Sequence, residues 1–199
     1  AVKRNATSVS KGGSVLSNNK DLISRIRLLS SHGIIKDNKN SPWEYDMSEL
    51  GYNYRITDIQ CALGCSQLKK LDSFIIKRRK IAEIYDNFFK DIEGFVIPKS
   101  SKEVNHSYHL YPIQIDFEFL DSKKIEFFAY MKNHNVNLQV HYIPIHTQSF
   151  YRKNFGYKVG DFPVSELFFQ KEVSLPIYPD LSEEMVRNIT SLIKNFFNV

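Results

Sequence analysis

Residues 49–71 read ELGYNYRITDIQCALGCSQLKKL, and this stretch contains the clearest helix start in the chain. The hydroxyl of Thr57 can accept the backbone N–H of Gln60 while the Gln60 side chain reaches back, which is the capping-box arrangement. Apolar residues then recur at helical spacing for many turns, until a glycine and a proline follow. The pattern predicts one long helix from Asp58 to about Lys90, with a bend near residue 71.

Upstream of this stretch, the sequence predicts a strand, a helix and a loop. Residues 12–17, GGSVLS, are typical of a short strand entered through a glycine turn. Residues 18–21, NNKD, offer caps for a short helix that Gly33 ends. The stretch 36–49 is an irregular polar loop with the only tryptophan, Trp43. A loop of this length in a compact domain is usually functional or mobile.

Downstream of the long helix, the hydrophobic period changes to two. Residues 110–117 predict a strand in which Pro112 favours an edge or a bulge. Asp121 can cap the next helix. In residues 136–142 apolar and polar side chains alternate, which predicts a second strand, and a last helix is predicted to start at Ser182. The apolar faces predicted for these two helices are Ile125, Phe128, Ala129 and Met131, and Met185, Ile189, Leu192, Ile193 and Phe196. The order of elements predicts an α/β fold with a small layer packed against the long helix.

The composition is that of a folded globular chain. Of its 199 residues, 42% are hydrophobic and 25% charged, which excludes disordered and low-complexity chains. No apolar run reaches the length of a bilayer span, and the residues after Ala1 lack the apolar region of a signal peptide. We therefore expect a cytoplasmic protein with no membrane segment, whose sequence begins within a longer one because it lacks an initiator methionine.

The net charge of +5 raises the question of nucleic-acid binding. The densest basic run is residues 77–80, KRRK, on the predicted long helix. Such a run can grip a phosphate backbone, but on a long amphipathic helix it is more often a solvated face. No zinc finger, aromatic RNA-binding pattern or helix-turn-helix accompanies it, so the solvated face is the favoured interpretation.

Two cysteines, Cys61 and Cys65, lie four residues apart on the predicted helix. Their spacing could offer two thiolates to a metal, but the chain has no further cysteine and no histidine is close to them in sequence. The favoured interpretation is that both cysteines are small buried thiols in a reducing compartment, and no metal site is predicted.

Polar residues that could carry chemistry are concentrated in two places. Asn53 and Arg55 precede the capped helix, and a helix N-terminus with an amide and a guanidinium suits an anion. The alternative is that the neighbouring tyrosines are core and Asn53 caps a turn. His141 and Tyr142 follow the second predicted strand, where a histidine is either catalytic or structural. The sequence contains no hydrolase elbow, P-loop, dinucleotide fingerprint or metal triad.

Residues 49–71 resemble the hallmark segment of the DegT/DnrJ/EryC1/StrS family of pyridoxal 5'-phosphate (PLP)-dependent sugar aminotransferases. Three further stretches agree in order and spacing, so that the resemblance runs over nearly the whole chain. Within the family, the sequence is most similar to the branch of pseudaminic acid biosynthesis. The three further stretches are residues 12–15 with 27–33, residues 108–112 and residues 140–146.

The resemblance implies a cytoplasmic homodimer that binds PLP, glutamate and a UDP-linked 4-keto-6-deoxy sugar. It implies that Asn53 reaches the cofactor phosphate of the other subunit, in trans. Arg55 is implied to serve the nucleotide-sugar diphosphate or the carboxylate of the amino donor. His141 and Tyr142 are implied to line the sugar-nucleotide side of the cleft.

The position of the catalytic lysine departs from the family pattern. Lys3 lies nine residues before Gly12 (12 − 3), which is about two more than the pattern expects, and a gap-free match puts Asn5 at that position. Either a small insertion keeps Lys3 as the lysine that binds PLP covalently, or that lysine has been lost.

The family fold implies that this chain is the C-terminal part of a fold-type I transferase. The expected division is 1–56 for the end of the large PLP-binding domain with loop 36–56, 57–94 for the connecting helix, and 95–199 for a small α/β domain. Two alternatives stay open beside a sugar aminotransferase. One is a non-catalytic remnant that only folds and dimerises, and the other is a basic nucleic-acid-binding module.

Overall fold

The computed structural model describes residues 14–36, 41, 43–101 and 103–199. They divide into two compact units: one takes the described residues up to Lys69, and the other runs from Lys70 to Val199. The described residues form seven α-helices and five short strands: α1 (Lys20–Ser30), β1 (Ile34–Ile35), β2 (Asp46–Met47), α2 (Asp58–Leu68), α3 (Leu71–Phe89), β3 (Phe95–Val96), β4 (Tyr111–Ile115), α4 (Lys124–Asn133), α5 (Ser149–Phe155), α6 (Pro163–Lys171), β5 (Glu172–Leu175) and α7 (Glu183–Phe197).

The start and the end of α1 follow the predicted signals. The Asn19 side chain accepts the backbone N–H groups of Asp21 and Leu22, which caps the helix. At the other end, Gly33 has a φ of +68° and its N–H donates to the Leu28 carbonyl at 2.9 Å. This bond satisfies a carbonyl of the last helical turn and ends the helix as expected.

The chain returns across the end of α1 through a short antiparallel ladder. Ile34 pairs with Met47 and Ile35 with Asp46, so β2 lies within the stretch 36–49 predicted as an irregular loop. Beyond this ladder, the backbone of residues 49–51 passes directly over the turn at Gly33. A Cβ on Gly51 would overlap the Gly33 nitrogen, and one on Gly33 would overlap the Glu49 carbonyl oxygen. The crossing therefore requires glycine on both sides.

The capping box of α2 is formed as predicted, but the long helix is interrupted. Gln60 Oε1 accepts the Thr57 N–H at 3.0 Å, and Thr57 Oγ1 accepts the Gln60 N–H at 3.4 Å. The helix then stops, and α3 begins after a turn at Lys69 and Lys70. These lysines carry no proline or glycine signal, so nothing in the local sequence indicates a complete break.

The prediction of buried thiols is wrong. Helix α2 buries none of its side chains, and both Cys61 and Cys65 are exposed. The apolar residues of α2 do not form one stripe, so the helix has no single face with which to cover the thiols.

The unit from Lys70 to Val199 is built on an antiparallel sheet in the order β3–β4–β5. Strand β4 is central, so Pro112 does not lie on an edge strand. Pro112 faces Ser174, whose N–H and carbonyl both bond to Gln139 on the opposite side. Pro112 therefore belongs to a pair without ladder hydrogen bonds, and its nitrogen faces away from β5, where β3 has already ended.

The core of this unit lies between the sheet and helices α3, α4 and α7. The interior side chains of β4 alternate along the strand, as predicted from period two, and α7 begins at the Ser182 cap. The fully or nearly buried apolar side chains include Ile81, Tyr85, Phe89, Tyr111, Ile113, Ile115, Phe127, Met131, Val173, Val186, Ile189 and Ile193. The α/β prediction is confirmed in this unit.

Four local predictions are corrected. Residues 14–17 form no strand among the described residues, and their side chains are exposed. Residues 136–142 form no strand and contribute a single bridge, between Gln139 and Ser174. Asp121 adopts a left-handed turn with φ +44°, and α4 starts at Lys124, after an N-cap residue, Lys123, that makes no side-chain capping bond. Phe127 and Met131 are the buried residues of α4, while Ile125 is exposed, and in α7 Met185 is exposed.

Candidate functional site

The backbone around Asn53 is fixed to the end of α1. Tyr52 N–H donates to the Leu29 carbonyl at 2.7 Å, and the Tyr52 carbonyl accepts the His32 N–H at 2.9 Å. Tyr54 N–H donates to the Ser30 carbonyl at 2.9 Å. Two hydrogen bonds to the last turn of α1 and one to the turn that follows it therefore hold the residues on both sides of Asn53, which keeps its backbone in a defined position.

The structure brings Asn53 and Arg55 together. Arg55 Nε donates to Asn53 Oδ1 at 3.2 Å, and both residues are exposed. Because Nε can only donate, the Asn53 amide oxygen must face it and the NH₂ group must point the other way. Among the described residues, that NH₂ group and the outer guanidinium nitrogens make no hydrogen bond. These free donors on adjacent side chains suit an oxyanion such as a phosphate or a carboxylate.

The tyrosines that flank Asn53 are not core residues. Tyr52 is 53% exposed and Tyr54 is 73% exposed, and their two rings stack at a centroid distance of 5.0 Å. The alternative in which they form core and Asn53 merely caps a turn is therefore wrong for the tyrosines. They instead form an exposed apolar surface beside the donors of Asn53 and Arg55.

The second predicted place centres on His141 and contains two residues that sequence reasoning missed. His141 N–H donates to Glu172 Oε2 at 2.9 Å, and its Nδ1 lies 2.8 Å from Ser174 Oγ. Ser174 Oγ in turn donates to Glu172 Oε1 at 2.5 Å. Glu172 is fully buried. The sequence does contain one signal for this site, namely the carboxylate of Glu172 at the start of an otherwise largely apolar strand. A buried charge is stable only when polar or charged groups pair with it.

Tyr142 is exposed and borders an aromatic cavity of about 590 Å³. Its ring meets that of His141 edge to face at 4.6 Å. The other side chains around this cavity are mostly apolar or aromatic and come from the segment after Tyr142 and from α5 and α6: Ile143, Pro144, Ile145, His146, Tyr151, Phe155, Tyr157, Phe162 and Ser165. A cavity of this character accepts a flat or apolar group more readily than an ion.

One wall of the cavity is fixed by a His–Glu pair that sequence reasoning also missed. His146 Nε2 lies 2.7 Å from Glu166 Oε1, and His146 is only 7% exposed. The Glu166 carboxylate also accepts the N–H groups of Gly160 and Phe162. The Gly160 bond, followed by the His146 bond, holds the pKa of Glu166 below its ordinary value. The pair thereby ties the loop before α6 to the segment that follows Tyr142.

The basic run 77–80 is used largely within the chain. Arg78 Nη1 donates to the carbonyls of Tyr108, His109 and Ile177 at 2.9–3.1 Å, and burial lowers the pKa of Arg78. Arg79 Nε donates to the His106 carbonyl at 2.9 Å. The interpretation as a wholly solvated face is therefore wrong for the two arginines, which are also not free to grip a nucleic acid.

Lys3 and Asn5, the two candidates for the catalytic lysine position, lie outside the described residues. In the described ranges, histidine, cysteine and acidic side chains nowhere gather in threes as a metal site requires. Within the same ranges, no helix has the length and hydrophobicity to cross a membrane.

Comparison with known proteins identifies the family. The model of the DegT/DnrJ/EryC1/StrS aminotransferase family matches residues 3–194. The chain belongs to this family. Its members are PLP-dependent aminotransferases, so the resemblance and the fold class inferred from the sequence are confirmed.

Individual relatives include a protein named as a UDP-sugar transaminase. The chain is 42% identical over 173 residues to a Campylobacter jejuni protein named UDP-4-amino-4,6-dideoxy-N-acetyl-beta-L-altrosamine transaminase, covering 86% of this chain and 44% of the relative. Among solved structures it is similar to Helicobacter pylori PseC, an aminotransferase involved in the biosynthesis of pseudoaminic acid, with 32% identity and a TM-score of 0.81, covering 92% of this chain and 47% of PseC.

A further structural relative concerns the cofactor. A putative sugar aminotransferase from Streptococcus pneumoniae, solved in its PMP form, is 27% identical with a TM-score of 0.80, covering 94% of this chain and 47% of that protein. The chain thus spans about half the length of the curated relatives that it matches.

Proposed function

We propose that this chain supplies the C-terminal part of a PLP-dependent aminotransferase. The enzyme would transfer the amino group of glutamate to a UDP-linked 4-keto-6-deoxy sugar, in the biosynthesis of nonulosonic acids for surface glycans. Similarity to the Campylobacter and Helicobacter proteins supports this choice of substrate. The complete enzyme is this chain together with the remaining half that its relatives carry. In it, residues 1–56 would end the large domain, 57–94 connect, and 95–199 form the small domain.

The observation that carries the proposal is the pair of Asn53 and Arg55 on a fixed backbone. Asn53 Oδ1 is held by Arg55 Nε at 3.2 Å, which leaves an amide NH₂ and two guanidinium nitrogens as donors. Hydrogen bonds from such donors to a phosphate are charge-assisted and stronger than those between neutral groups. The donor set therefore fits the cofactor phosphate. We assign Asn53 to the phosphate of PLP in the partner subunit of a homodimer.

The remaining site residues are assigned to the substrates. Arg55 would bind the sugar-nucleotide diphosphate or the donor carboxylate, since its guanidinium can bind either in a bidentate way. His141 and Tyr142 would line the sugar-nucleotide side of the cleft, with the aromatic cavity beside them. When bound, PLP supplies the electron sink that lets an amino group pass between glutamate and a carbonyl.

A lysine must hold the cofactor and move the proton in both half-reactions. Lys3 is the candidate, on the supposition of a small insertion before the two glycines. Borohydride reduction of the complete enzyme followed by peptide mass spectrometry identifies the modified residue. PLP recovered on Lys3 supports the assignment, and a complete enzyme with no modified lysine favours the non-catalytic remnant.

Activity of the complete enzyme tests the function. With a UDP-linked 4-keto-6-deoxy-N-acetylhexosamine and glutamate, we expect equimolar amino sugar and 2-oxoglutarate. Aspartate in place of glutamate, and a GDP-linked sugar in place of the UDP-linked one, are the matched controls. Loaded enzyme that forms no amino sugar from any of them would overturn the proposal. We expect the isolated chain to be inactive, because the other half would carry most cofactor contacts.

A further inference from the structure

The hydrogen bonds among His141, Ser174 and Glu172 determine which ring nitrogen of His141 carries the proton. The Glu172 carboxylate is fully buried and can only accept hydrogen bonds. One of its oxygens accepts the His141 backbone N–H at 2.9 Å, and the other lies 2.5 Å from Ser174 Oγ. The single hydroxyl proton of Ser174 must therefore be donated to Glu172.

Ser174 then has no proton left for His141. Its oxygen lies 2.8 Å from His141 Nδ1, a distance that requires a hydrogen bond. Since Ser174 Oγ can only accept in this contact, His141 Nδ1 must be protonated. In the neutral ring, Nε2 is then the unprotonated nitrogen. Among the described residues, Nε2 makes no hydrogen bond.

The geometry supports the carboxylate form of Glu172. The 2.5 Å between Ser174 Oγ and Glu172 Oε1 lies in the range of a charge-assisted O–H···O⁻ hydrogen bond, and the other oxygen, Oε2, accepts a backbone N–H. Both oxygens of the carboxylate thus accept hydrogen bonds, and the direction of the Ser174 bond follows from this.

We propose that Ser174 and Glu172 are positioning residues that fix His141 in the Nδ1–H tautomer and present Nε2 as a hydrogen-bond acceptor. This inference deepens the proposed function. The acceptor would recognise an O–H or N–H donor on the sugar nucleotide, such as a hydroxyl or the N–H of an acetamido group. A carbonyl or phosphate oxygen, which can only accept, would not be bound by this nitrogen.

Nitrogen-15 NMR of the complete enzyme, labelled at histidine, measures the tautomer directly. At a pH where His141 is neutral, we expect its Nδ1 to show a directly attached proton and its Nε2 to show none. The assignment uses His141→Gln, which removes the His141 signal from the spectrum. An Nε2–H tautomer in the unmodified chain overturns the proposal without any need for a further variant.

Glu172→Gln provides a sharper test because it should reverse the tautomer. The glutamine oxygen must face the His141 backbone N–H, so its NH₂ group faces Ser174 and donates to it. The Ser174 hydroxyl is then free to donate to Nδ1, which moves the ring proton to Nε2. A purely structural role for Glu172 predicts a folded protein with an unchanged tautomer, and that result also overturns the proposal.

Two serine variants complete the test. Ser174→Ala removes the acceptor of the Nδ1 proton and should give a mixture of tautomers. Ser191→Ala is the matched control, because the Ser191 hydroxyl bonds to the Arg187 carbonyl on α7 and has no contact with His141. A tautomer that is unchanged in Ser174→Ala contradicts the assignment.

The consequence for the substrate is measured in the complete enzyme. Glu172→Gln should raise the KM for the sugar nucleotide about three- to tenfold with little change in kcat, because one hydrogen bond changes polarity. An unchanged KM with a reversed tautomer overturns the acceptor role of Nε2. A complete enzyme without aminotransferase activity refutes the proposed function, while the tautomer remains a separate result.

Discussion

Gly33 and Gly51 pack backbone against backbone where the chain crosses the end of α1, with no space for a Cβ on either residue. Gly33 also has a φ of +68°, which side chains with a Cβ rarely adopt. The crossing places residues 52–55 against the last turn of α1, where the Tyr52 and Tyr54 hydrogen bonds form. The position of Asn53 thus depends on two residues that have no side chain.

Gly51→Ala should destabilise the unit that contains Asn53. The added methyl would overlap the Gly33 nitrogen and approach the Leu29 carbonyl oxygen at 2.9 Å, so that the backbone must separate. Overpacking of this kind typically costs about 1–3 kcal/mol. Urea denaturation followed by circular dichroism measures the change in the free energy of unfolding.

Gly64→Ala is the matched control for that variant. Gly64 lies within α2, and no atom lies within 4 Å of the place that an added methyl group would take. Because alanine favours the helix over glycine by about 0.5–1 kcal/mol, this variant should be neutral or stabilising. Equal losses in both variants would contradict the account of the crossing.

Asn53→Ala should weaken PLP retention by the complete enzyme about ten- to a hundredfold. A hydrogen bond to a charged group contributes roughly 1.5–3 kcal/mol, which corresponds to that range. Asn53→Asp is the matched variant, since it keeps the shape and replaces the donors with a negative charge that repels a phosphate. Equilibrium dialysis against PLP measures both, with the circular dichroism spectrum as the control for folding.

Mixed dimers test whether Asn53 acts in trans. Asn53→Ala subunits are combined with subunits that lack the PLP-binding lysine, each inactive as a homodimer. In the mixed dimer one site would carry both defects and the other neither, so part of the activity should return. If mixed dimers form and remain inactive, Asn53 serves the site of its own subunit.

Glu166→Gln should reduce the loss of stability at acid pH. Folding lowers the pKa of Glu166, chiefly through the Gly160 N–H, so the folded state holds this proton less tightly than the unfolded chain. The stabilisation is complete above the ordinary value of 4.5 and is lost as the pH falls through the lower pKa of the folded state. Thermal unfolding between about pH 6 and pH 3 should show a shallower decline in the variant.

Glu93→Gln is the control for the acid series. Glu93 is exposed and accepts no hydrogen bond within the part of the chain that is described. Its removal should leave the decline as steep as in the unmodified chain. A decline that is equally steep in Glu166→Gln would mean that the Gly160 and His146 contacts do not hold the carboxylate in solution.

The isolated chain should self-associate. Leu16, Leu50 and Ile59 are 80–91% exposed, and Cys61 and Cys65 lie on the same unburied helix as Ile59. Exposed apolar side chains such as these are usually buried against a partner or in an aggregate. Sedimentation velocity at rising concentration should show a growing fraction of larger species, and a stable dilute monomer with cooperative unfolding would count against this prediction.

Local capping signals predicted the fold well where a few neighbouring residues determine the structure. Asn19, the pair of Thr57 and Gln60, and Ser182 each start a helix as expected, because the capping bonds span three residues or fewer. Local signals could not predict the break in the helix at Lys69 and Lys70, or the absence of a strand at 136–142. Whether a segment becomes a strand depends on a partner distant in sequence, and within the part of the chain that is described Ser174 alone pairs with residues 136–142.

Only part of the candidate site could be predicted, because some of its residues are brought together by pairing between segments that are distant in sequence. Asn53, Arg55, His141 and Tyr142 follow from the resemblance. In the structure Asn53 contacts Arg55, and His141 contacts Tyr142. Ser174 and Glu172 lie more than thirty residues from His141 in sequence, and only the pairing around Gln139 brings them to it. A serine and a glutamate in a short apolar strand do not by themselves reveal which histidine they hold.

The register of β3 against β4 has a consequence for how this protein meets other molecules. Phe95 pairs with Ile115 and Val96 with Gln114, so continuing the ladder would place Pro98 opposite Pro112. Neither proline has an N–H to donate, which explains why the pairing stops after two residues. For the same reason, a strand from another molecule would find few backbone N–H groups to pair with along this edge of β4. Prolines at these two ladder positions would therefore disfavour edge-to-edge assembly, at the place where a lengthening sheet would otherwise invite it.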